Sequence, residues 1–340
     1  MKREKNTKKS ILNRLPKAVF VLIASLFYNP SVSAENLENV ITVSASGGDF
    51  TSVTSALNSI SNATESNPYL IKVGPGTYSV RAQIRMKPFV TLRGSGRNLT
   101  FLTGRIRNSA DSVLVSVGES LVSDLSIETI RNFNFPARAA VECLPNGPCG
   151  VLERINIRSE PHPSTPTPGV GVLLNQNDTT PILLLKDVNI VALKDQGESF
   201  GVSAIESSMR IENSRISGRT EAIQSFFGLG FSVIDSFLSG GIDFSSAFVV
   251  SSQVTISDSE FTRSGIFQFD IESVEDRILI SNSFFGSVGS SDFFVDAPQI
   301  EVKGAGVTAN TLNCSQNTVL DRDENRFLQL DERCNLDLTL

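Results

Sequence analysis

The sequence predicts an all-β chain wound into a single-stranded right-handed parallel β-helix, a solenoid with an N-terminal capping helix. Three observations lead to this prediction: a polar anchor residue that recurs along the chain, short stretches of alternating apolar and polar residues, and one amphipathic segment near residue 50. Because a solenoid grows by stacking similar rungs on one another, a chain of this length needs no second domain.

The recurring anchor is an aspartate or asparagine, once an arginine, with an apolar residue on each side. The first two copies are Asp124 and Arg154. The later copies are Asp187, Asn213, Asp235, Asp258, Asn282 and Asn310. Rungs of roughly 22 residues with loops of variable length explain the uneven spacing, since insertions in repeat proteins fall in loops.

Within the rungs, apolar and polar residues alternate over short stretches, as at 254–256 (VTI). Alternation with period two, interrupted by Ser, Asn, Asp and Gly, is typical of strands. The 22 phenylalanines and the absence of tryptophan favour an interior in which like residues stack from rung to rung. A two-sheet sandwich is the main alternative, but it does not explain a polar anchor at near-constant phase.

One segment has the pattern of an amphipathic helix, and it precedes the first rungs. Asp49 or Thr51 is expected to cap its N-terminus. Its apolar residues recur with the helical period on one face: Phe50, Val53, Ala56, Leu57 and Ile60. Because the open end of a solenoid exposes core and unpaired strand groups, we expect this helix to cover it.

The first 34 residues predict a secretory signal peptide, which leaves 35–340 as the β-helix domain. Basic residues crowd the first 17 positions, and an apolar run follows at 18–27. That run is too short to span a bilayer, and small residues end the segment at Ala34. The protein is therefore expected to be secreted or periplasmic, and not held in a membrane after cleavage.

Loss of this segment makes the protein more acidic. It contains seven of the 30 basic residues but one of the 36 acidic residues, so the net charge of −6 becomes −12. A chain this acidic is not expected to bind a nucleic-acid backbone or an anionic membrane. It would repel a de-esterified polyuronate but tolerate a neutral or esterified glycan. We expect it to be a monomer.

The four cysteines suit an exported protein, in which disulfides are stable. Cys143 and Cys149 flank a turn-rich loop of five residues, and Cys314 and Cys334 bracket the C-terminal segment. Proximity in the sequence favours one bridge within each pair, although four cysteines allow three pairings.

Three motifs follow one another in the N-terminal part of the chain: residues 47–53 (GGDFTSV), 71–78 (IKVGPGTY) and 90–96 (VTLRGSG). In this order they resemble the opening of pectinesterases (pectin methylesterases), a family within the pectin-lyase-like β-helix superfamily. The resemblance implies the same fold, and it says less about chemistry because related β-helices share this opening.

Two motifs in the middle of the chain are similar to the active-site motifs of that family. Residues 215–222 (RISGRTEA) lie where the family has Gly-x-Gln-Asp-Thr, and 240–244 (GGIDF) resemble its Gly-Thr-Val-Asp-Phe. The resemblance implies that Asp243 is the nucleophilic carboxylate and that Glu221 replaces the aspartic general acid.

The 22 residues between Glu221 and Asp243 equal one rung, so we expect them on adjacent strands, close to the strand spacing of about 4.8 Å. Two carboxylates that close do not both ionise easily. One can then act as a protonated acid and the other as the nucleophile of ester cleavage through an acyl intermediate.

The sequence departs from the family at several positions that support catalysis. Thr220 replaces the glutamine that helps to stabilise the oxyanion, and Gly201 lies where the other family glutamine is expected. The Leu-Gly-Arg-Pro-Trp motif is absent, and the nearest basic residues after Asp243 are Arg263 and Arg277. Because each lost oxyanion donor lowers the rate by about 10²–10³, we expect weak or altered activity.

Aromatic residues near this face could stack on sugar rings. Phe226 and Phe227 are expected in that role, and Phe133 and Phe135 are further candidates. Thr220 is expected to contact the substrate beside them as a hydrogen-bond donor. Packing within loops is the alternative interpretation of these phenylalanines.

Other chemistries find little support. The single histidine, His162, lies in a proline-rich stretch, which excludes a Ser-His-Asp hydrolase. Residues 321–325 (DRDEN) are similar to the start of a calcium loop, but Arg326 occupies the position that needs glycine. We therefore expect neither a metal nor another cofactor.

These observations predict an exported, pectinesterase-like protein that binds or acts on a polysaccharide, pectin-like or another esterified glycan, with weak or altered carboxylic ester hydrolase activity. The alternative is a non-catalytic glycan-binding or surface adhesion protein that kept the scaffold. A polysaccharide lyase would need calcium-binding carboxylates and a basic residue that the sequence does not bring together.

Overall fold

A computed structural model describes the chain in segments. These are residues 39–106, 111–129, 138–143, 148–160, 168–175, 183–193, 197–228, 230–246 and 253–262, together with the backbone of the strands between 267 and 329. The predicted signal segment, Asn282 and Asn310 lie outside them.

Two sheets run along the chain, and their strands pair in parallel except for the last pair. Sheet 1 has one strand from each rung: β1 Asn39–Val43, β2 Tyr69–Val73, β5 Val90–Arg93, β8 Leu121–Ser123, β11 Val151–Glu153, β14 Leu183–Lys186, β17 Ser208–Glu212, β19 Gly230–Ile234, β21 Gln253–Ser257, β24 Arg277–Ser281, β27 Ile300–Lys303, β29 Thr318–Asp321 and β30 Arg326–Gln329.

The second sheet is folded into two faces. Face 2 follows sheet 1 in each rung: β3 Gly76–Val80, β6 Thr100–Gly104, β9 Ser126–Thr129, β12 Asn156–Ser159, β15 Asn189–Ala192, β18 Arg215–Gly228, β20 Phe237–Ser246, β22 Glu260–Thr262 and β25 Phe284–Phe285. Face 3 follows face 2: β4 Ile84–Arg85, β7 Leu114–Ser116, β10 Val141–Cys143, β13 Gly169–Asn175, β16 Ser199–Ile205, β23 Phe267–Asp270, β26 Phe293–Asp296 and β28 Leu312–Cys314. The long strands β18 and β20 bend from face 2 into face 3. This is the right-handed parallel β-helix that the sequence predicted.

The core consists of side chains that stack in columns from rung to rung. One column of sheet 1 is fully buried and in register: Leu92, Val122, Leu152, Leu185, Ile211, Val233 and Ile256. Like residues therefore do stack, as expected, and in this column they are aliphatic. Phenylalanines occupy paired register positions further along the chain, as at Phe267 and Phe293. Each buried side chain of this kind stabilises the fold by about 1.5–3 kcal/mol.

The polar anchors form the corner between sheet 1 and face 2. All six that lie within the described residues have a left-handed backbone, with φ between 46° and 58°: Asp124, Arg154, Asp187, Asn213, Asp235 and Asp258. Asparagine and aspartate tolerate this conformation better than other non-glycine residues, which explains the recurring residue type. The anchors are thus the sharp turns by which the chain passes from one sheet to the other.

A ladder of serine hydroxyls fixes three successive corners. The Ser214 Oγ donates to the carbonyl of Glu212 (2.6 Å) and accepts a hydrogen bond from the Val188 N–H (3.1 Å). Ser236 and Ser259 repeat both bonds one rung further each time. All three serines are buried, so the backbone polar groups at these corners have partners within the protein.

Arg154 is the anchor that breaks the residue pattern, and its side chain shows why it is tolerated. The Arg154 guanidinium donates to both carboxylate oxygens of Asp124, at 2.8 and 3.0 Å. A bidentate pair of this kind joins two consecutive corners. The hydrogen bonds from Arg154 hold the pKa of Asp124 below its usual range.

The described residues contain one α-helix, α1, from Val53 to Ser59. It packs against β1, β2 and β4 and buries Val53, Ala56 and Leu57, as the apolar pattern predicted. The predicted cap was wrong, because Ser52 caps the helix by accepting a hydrogen bond from the Ser55 N–H.

Asp49, one of the two predicted caps, has another role. Its carboxylate accepts hydrogen bonds from the backbone N–H and the hydroxyl of Thr42, both at 2.8 Å. These bonds hold the pKa of Asp49 below its usual value.

Of the two predicted disulfides, the Cys143–Cys149 bridge is confirmed. Cys334 lies outside the described residues, so its bridge with Cys314 stays a prediction. Within the described residues, no helix is long and apolar enough to cross a membrane.

The left-handed corners predict a sharp difference between two substitutions of the exposed Asn213. Asn213→Gly should leave the melting temperature nearly unchanged, because glycine adopts positive φ freely. Asn213→Val should destabilise the fold by about 1–3 kcal/mol, because a branched Cβ is strained there. Thermal unfolding followed by circular dichroism measures both, and equal melting temperatures would contradict the assigned role of the corner.

The Asp124–Arg154 pair predicts a pH-dependent contribution to stability. Asp124→Asn should keep the left-handed corner but lose the ion pair, at a cost of no more than about 1 kcal/mol because both side chains are partly exposed. The folded-state pKa of Asp124 lies below the ordinary value of 3.8. The stabilisation is therefore present above that value and is lost as the pH falls through the folded-state pKa.

Melting temperatures of the wild type and Asp124→Asn should accordingly differ at neutral pH and converge in strongly acidic buffer. A difference that stays constant across this range would show that the aspartate acts through its shape and not through its charge.

Candidate functional site

A column of polar positions crosses face 3 on four consecutive rungs. Ser203 of β16 pairs with Gln224 of β18, Gln224 with Asp243 of β20, and Asp243 with Gln268 of β23. Neighbouring positions in such a column are separated by the strand spacing of about 4.8 Å.

Burial of the neighbouring residues places Gln224 on the outer side of the face, and we call the column in register with it the outer column. Ile223 and Ser225 are buried on either side of the partly exposed Gln224. Ile242, which precedes Asp243 in β20, is buried likewise. The structure describes Asp243 and Gln268 by their backbone alone. The Ser203 hydroxyl lies 3.3 Å from the Gln224 Oε1 and donates to it. This bond holds the side-chain oxygen of Gln224 toward Ser203.

Glu221 and Asp243 lie on adjacent strands, as predicted, but they do not stand opposite one another. Glu221 pairs with Gly241, so Asp243 is two positions further along β20. The Cα atoms of a diagonal pair of this kind are about 8 Å apart, compared with about 4.8 Å for the predicted arrangement. The residue opposite Asp243 is Gln224.

The cause is a change of register where β18 bends from face 2 into face 3. Ser217 pairs with Ser239, an offset of 22 residues, whereas Gln224 pairs with Asp243, an offset of 19. Three extra residues in β18 are therefore accommodated at the bend. The rung length of 22 residues, which the spacing of the corner residues predicts, therefore does not apply to the strands after the bend.

Glycines make the bend possible. Gly240 has a φ of 131°, and a Cβ there would lie 2.7 Å from the Gly218 carbonyl oxygen and from the Ala222 backbone nitrogen. A Cβ on Gly201 would lie 2.6 Å from the Ala222 carbonyl oxygen. Gly201 therefore serves close backbone packing, and Ser203 is the residue of that strand in the outer column.

Glu221 lies at the edge of a small apolar cluster that is separate from the main core. Its register partner on β16 is Phe200, which packs with Ala139, Val170 and Leu173. The Glu221 side chain is partly exposed, and its Oε2 atom is shielded from solvent.

The predicted substrate-contacting residues have different surroundings. The Thr220 hydroxyl accepts a hydrogen bond from the Ser199 N–H at 2.9 Å, which ties the bend to β16. Phe226 is 37% exposed and pairs directly with Ile205, which is exposed to the same extent. These two side chains form an apolar patch two positions beyond Gln224 and Ser203. Phe227 follows in β18, and its side chain is not described.

A buried carboxylate continues the same outer column on β10. Glu142 is 1% exposed and pairs with Leu173, the register partner of Ser203. It accepts hydrogen bonds from the Ser112 hydroxyl (2.9 Å) and from the Arg138 guanidinium (3.1 Å). Because it is sealed from solvent, Glu142 stabilises the rung beside the disulfide and is not available to a substrate.

Several residues considered from the sequence cannot be placed. His162, Phe133, Phe135 and Arg263 lie outside the described residues, and Arg277 is described by its backbone in β24 alone. Among the described residues, no group of three or more His, Cys, Asp or Glu side chains could hold a metal ion.

Comparison with solved structures finds proteins whose fold is similar to that of this chain. It is similar to a pectin methyl esterase of the rice weevil, with 15% identity and a TM-score of 0.47 over 68% of this chain and 79% of that one. For the pectin methylesterase of carrot, the identity is 13% and the TM-score 0.38, over 83% and 82%. For the catalytic domain of a GH87 α-1,3-glucanase in complex with nigerose, they are 13% and 0.51, over 84% of this chain and 56% of that domain.

At such low identities the comparison concerns the fold alone. The superposition on the glucanase domain agrees with the parallel β-helix derived above. No protein-family model matches the chain, and no curated protein is similar to it in sequence.

The close packing at the bend predicts that Gly240→Ala disturbs the rung that carries Asp243. Gly47 offers a matched control, because it also has positive φ but open space around its Cβ position. Gly47→Ala should cost about 1–2 kcal/mol from conformation alone. Gly240→Ala should lower the melting temperature further, because its methyl group also meets backbone atoms. Equal losses would contradict the close packing assigned to Gly240.

Proposed function

We propose that this chain is an exported polysaccharide-binding protein whose ligand lies across the outer column of face 3, and that Asp243 gives it a weak carboxylic ester hydrolase activity. The observation that carries the proposal is the register that aligns Asp243 with Gln224 and Gln268. Export rests on the basic, apolar and small-residue order of positions 1–34.

Glycan binding is supported by the side chains that share this face. Ile205 and Phe226 offer an exposed apolar surface on which the flat side of a sugar ring can pack. Gln224, which is partly exposed and is held by the buried Ser203, supplies hydrogen-bonding groups for hydroxyls at its edge. The acidic balance of the chain favours a neutral or esterified glycan over a polyuronate. Monomeric behaviour and the absence of nucleic-acid and membrane partners belong to the same proposal.

Ester cleavage would follow from a carboxylate next to amide donors. The Asp243 carboxylate attacks the ester carbonyl carbon, and Gln224 donates hydrogen bonds to the oxyanion that forms. The alcohol leaves with a proton from Glu221, and an anhydride joins Asp243 to the acyl group. Water then attacks the acyl carbon of the anhydride and gives a proton to Glu221. The substrate acid is released, and the Asp243 carboxylate and the protonated Glu221 are restored.

The same register explains why this activity should be weak. At a diagonal distance of about 8 Å between Cα atoms, Glu221 is poorly placed to share a proton with Asp243. The amide opposite Asp243 can stabilise an oxyanion but cannot protonate a leaving group.

A non-catalytic glycan-binding or adhesion protein is the second candidate, and the glutamine opposite Asp243 favours it. The glucanase domain that shares this fold was crystallised with nigerose, so the architecture presents sugars in that protein. The residues of face 3, and not this likeness, carry the proposal for the present chain.

Substitution of Gln224 tests the hydrolytic part of the proposal. Gln224→Asp places a second carboxylate directly opposite Asp243, where the two can share a proton. The protonated carboxyl of this variant still donates a hydrogen bond to the oxyanion and also supplies the proton that the amide lacks. We therefore expect the variant to release methanol or acetate from esterified pectin at least about tenfold faster than the wild type, because a positioned acid contributes about 10²–10⁴ in rate. Gln224→Asn is the matched control, which shortens the side chain without adding a charge.

Asp243→Asn should abolish the release of methanol or acetate, both in the otherwise wild-type protein and in combination with Gln224→Asp. If the wild type and Asp243→Asn release product equally and Gln224→Asp brings no gain, Asp243 has no catalytic role. Retention of the wild type by the same glycan in affinity electrophoresis would then identify the non-catalytic candidate. If the wild type neither releases product nor is retained by the glycan, the proposal that face 3 binds a polysaccharide is wrong.

A further inference from the structure

A groove runs along the corner between sheet 1 and face 2, away from the outer column of face 3. It encloses about 1020 Å³ and extends over four consecutive rungs. Two columns line it. The first is the row of left-handed corners Asp187, Asn213, Asp235 and Asp258, and the second is the row of first residues of β15, β18, β20 and β22: Asn189, Arg215, Phe237 and Glu260.

The two columns are in register, so the groove is a regular array. Asn189 pairs with Arg215, Arg215 with Phe237, and Phe237 with Glu260. Each rung adds one corner residue and one strand residue about 4.8 Å from the last pair. The array is therefore suited to an extended ligand that lies parallel to the solenoid axis.

The floor of the groove is held in place before any ligand arrives. The buried hydroxyls of Ser214, Ser236 and Ser259 bind the backbone of the corners, as described above. The side chains of Asn213, Asp235 and Asp258 are exposed above this floor. A rigid surface with polar groups directed outward binds a ligand with little ordering cost.

Arg97 closes one end of the groove. Although it comes 90 residues earlier in the chain, its guanidinium donates to the Asp187 carboxylate at 2.8 Å and to the Asp187 carbonyl at 3.2 Å. Further along, the exposed guanidinium of Arg215 lies over the Phe237 ring, 4.9 Å from its centre. This stacked pair gives the groove a flat surface among its hydrogen-bonding groups.

We propose that this corner groove is a second glycan-binding site, which takes an uncharged, hydroxyl-rich oligosaccharide. Carboxylates and amides accept or donate hydrogen bonds to sugar hydroxyls, guanidinium groups donate in pairs, and the Arg215–Phe237 surface packs on a ring face. The groove has a net negative charge, which repels a polyanion. It contains four carboxylates, of Asp187, Asp235, Asp258 and Glu260, and two guanidinium groups, of Arg97 and Arg215. The site does not depend on the function proposed for face 3.

A metal ion is not the ligand that these residues favour. None of the described residues form a group of three or more His, Cys, Asp or Glu side chains suited to a metal. Arg97 already pairs with the Asp187 carboxylate, and the Arg215 guanidinium lies among the other carboxylates, so the lining is not the purely acidic cluster that a cation favours. These features distinguish the groove from a simple acidic cluster.

The absence of tryptophan from the chain allows a direct test. Phe237→Trp places a single fluorescent reporter in the groove, and Phe226→Trp places one on face 3. Each is titrated with neutral gluco- and xylo-oligosaccharides, methyl-esterified oligogalacturonide, de-esterified oligogalacturonide, chitosan oligomers and calcium chloride. We expect a saturable change in the Phe237→Trp emission with a neutral or fully esterified oligosaccharide, and none with the de-esterified one.

Calorimetry on chains without a reporter gives an independent readout. Arg215→Ala should weaken binding of the same oligosaccharide at least tenfold. Arg210→Ala removes an exposed arginine from sheet 1 outside the groove and should leave the affinity unchanged. Asp243→Asn should not affect the groove either, which separates this site from face 3.

The inference is overturned if no neutral oligosaccharide changes the Phe237→Trp emission, or if calcium or chitosan alone does so. It is also overturned if Arg215→Ala binds as tightly as Arg210→Ala. A change in the emission of Phe226→Trp alone would support glycan binding on face 3 and would contradict glycan binding in the corner groove.

Discussion

The architecture depends on a turn that the chain repeats in six consecutive rungs, from Asp124 to Asp258. Between sheet 1 and face 2 one residue has to adopt a left-handed backbone, and the polypeptide offers few residue types for that position. Aspartate and asparagine fill it, and the serine hydroxyls below them bind the backbone groups that the turn leaves open. Because these six corners repeat the same geometry, the strands on both sides come into parallel register, and the aliphatic column of the core follows.

This dependence explains why the sequence predicted so much of the fold. A residue type required by backbone geometry recurs in the sequence whatever the surrounding loops do, so the anchors at Asp124 through Asp258 revealed the rungs without any knowledge of the strands. Arg154 shows that the rule concerns conformation and not composition, because a bidentate partner allows a less suited residue at the same turn. The helix was predictable for a similar reason, since its apolar face has to meet the core. Its cap was not, because several polar residues precede the helix and local bonds decided among them.

The candidate site was predicted less well, and the reason is equally physical. The spacing between Glu221 and Asp243 was read as one rung, but a rung length measured at the corners holds only as far as the strands stay regular. At the bend of β18, close glycine packing absorbs three residues and shifts the register. The column that results brings Gln224 opposite Asp243. No pattern in the sequence marks that glutamine, because its place depends on how the bend is packed. Its bond to Ser203 is a consequence of the same register.

The bend also separates the two surfaces of the molecule. The corner groove lies before it, where the rungs keep the register that the left-handed turns impose, and its side chains therefore form an ordered array. Face 3 lies after the bend, where a change of a few residues decides whether an amide or a carboxylate stands opposite Asp243. A shift at the bend can thus alter the chemistry of face 3 while the corners, the core and the groove stay as they are. A solenoid of this kind can lose or regain a reactive carboxylate pair without a change in its fold, and a surface that is fixed by the corners can continue to bind a ligand throughout.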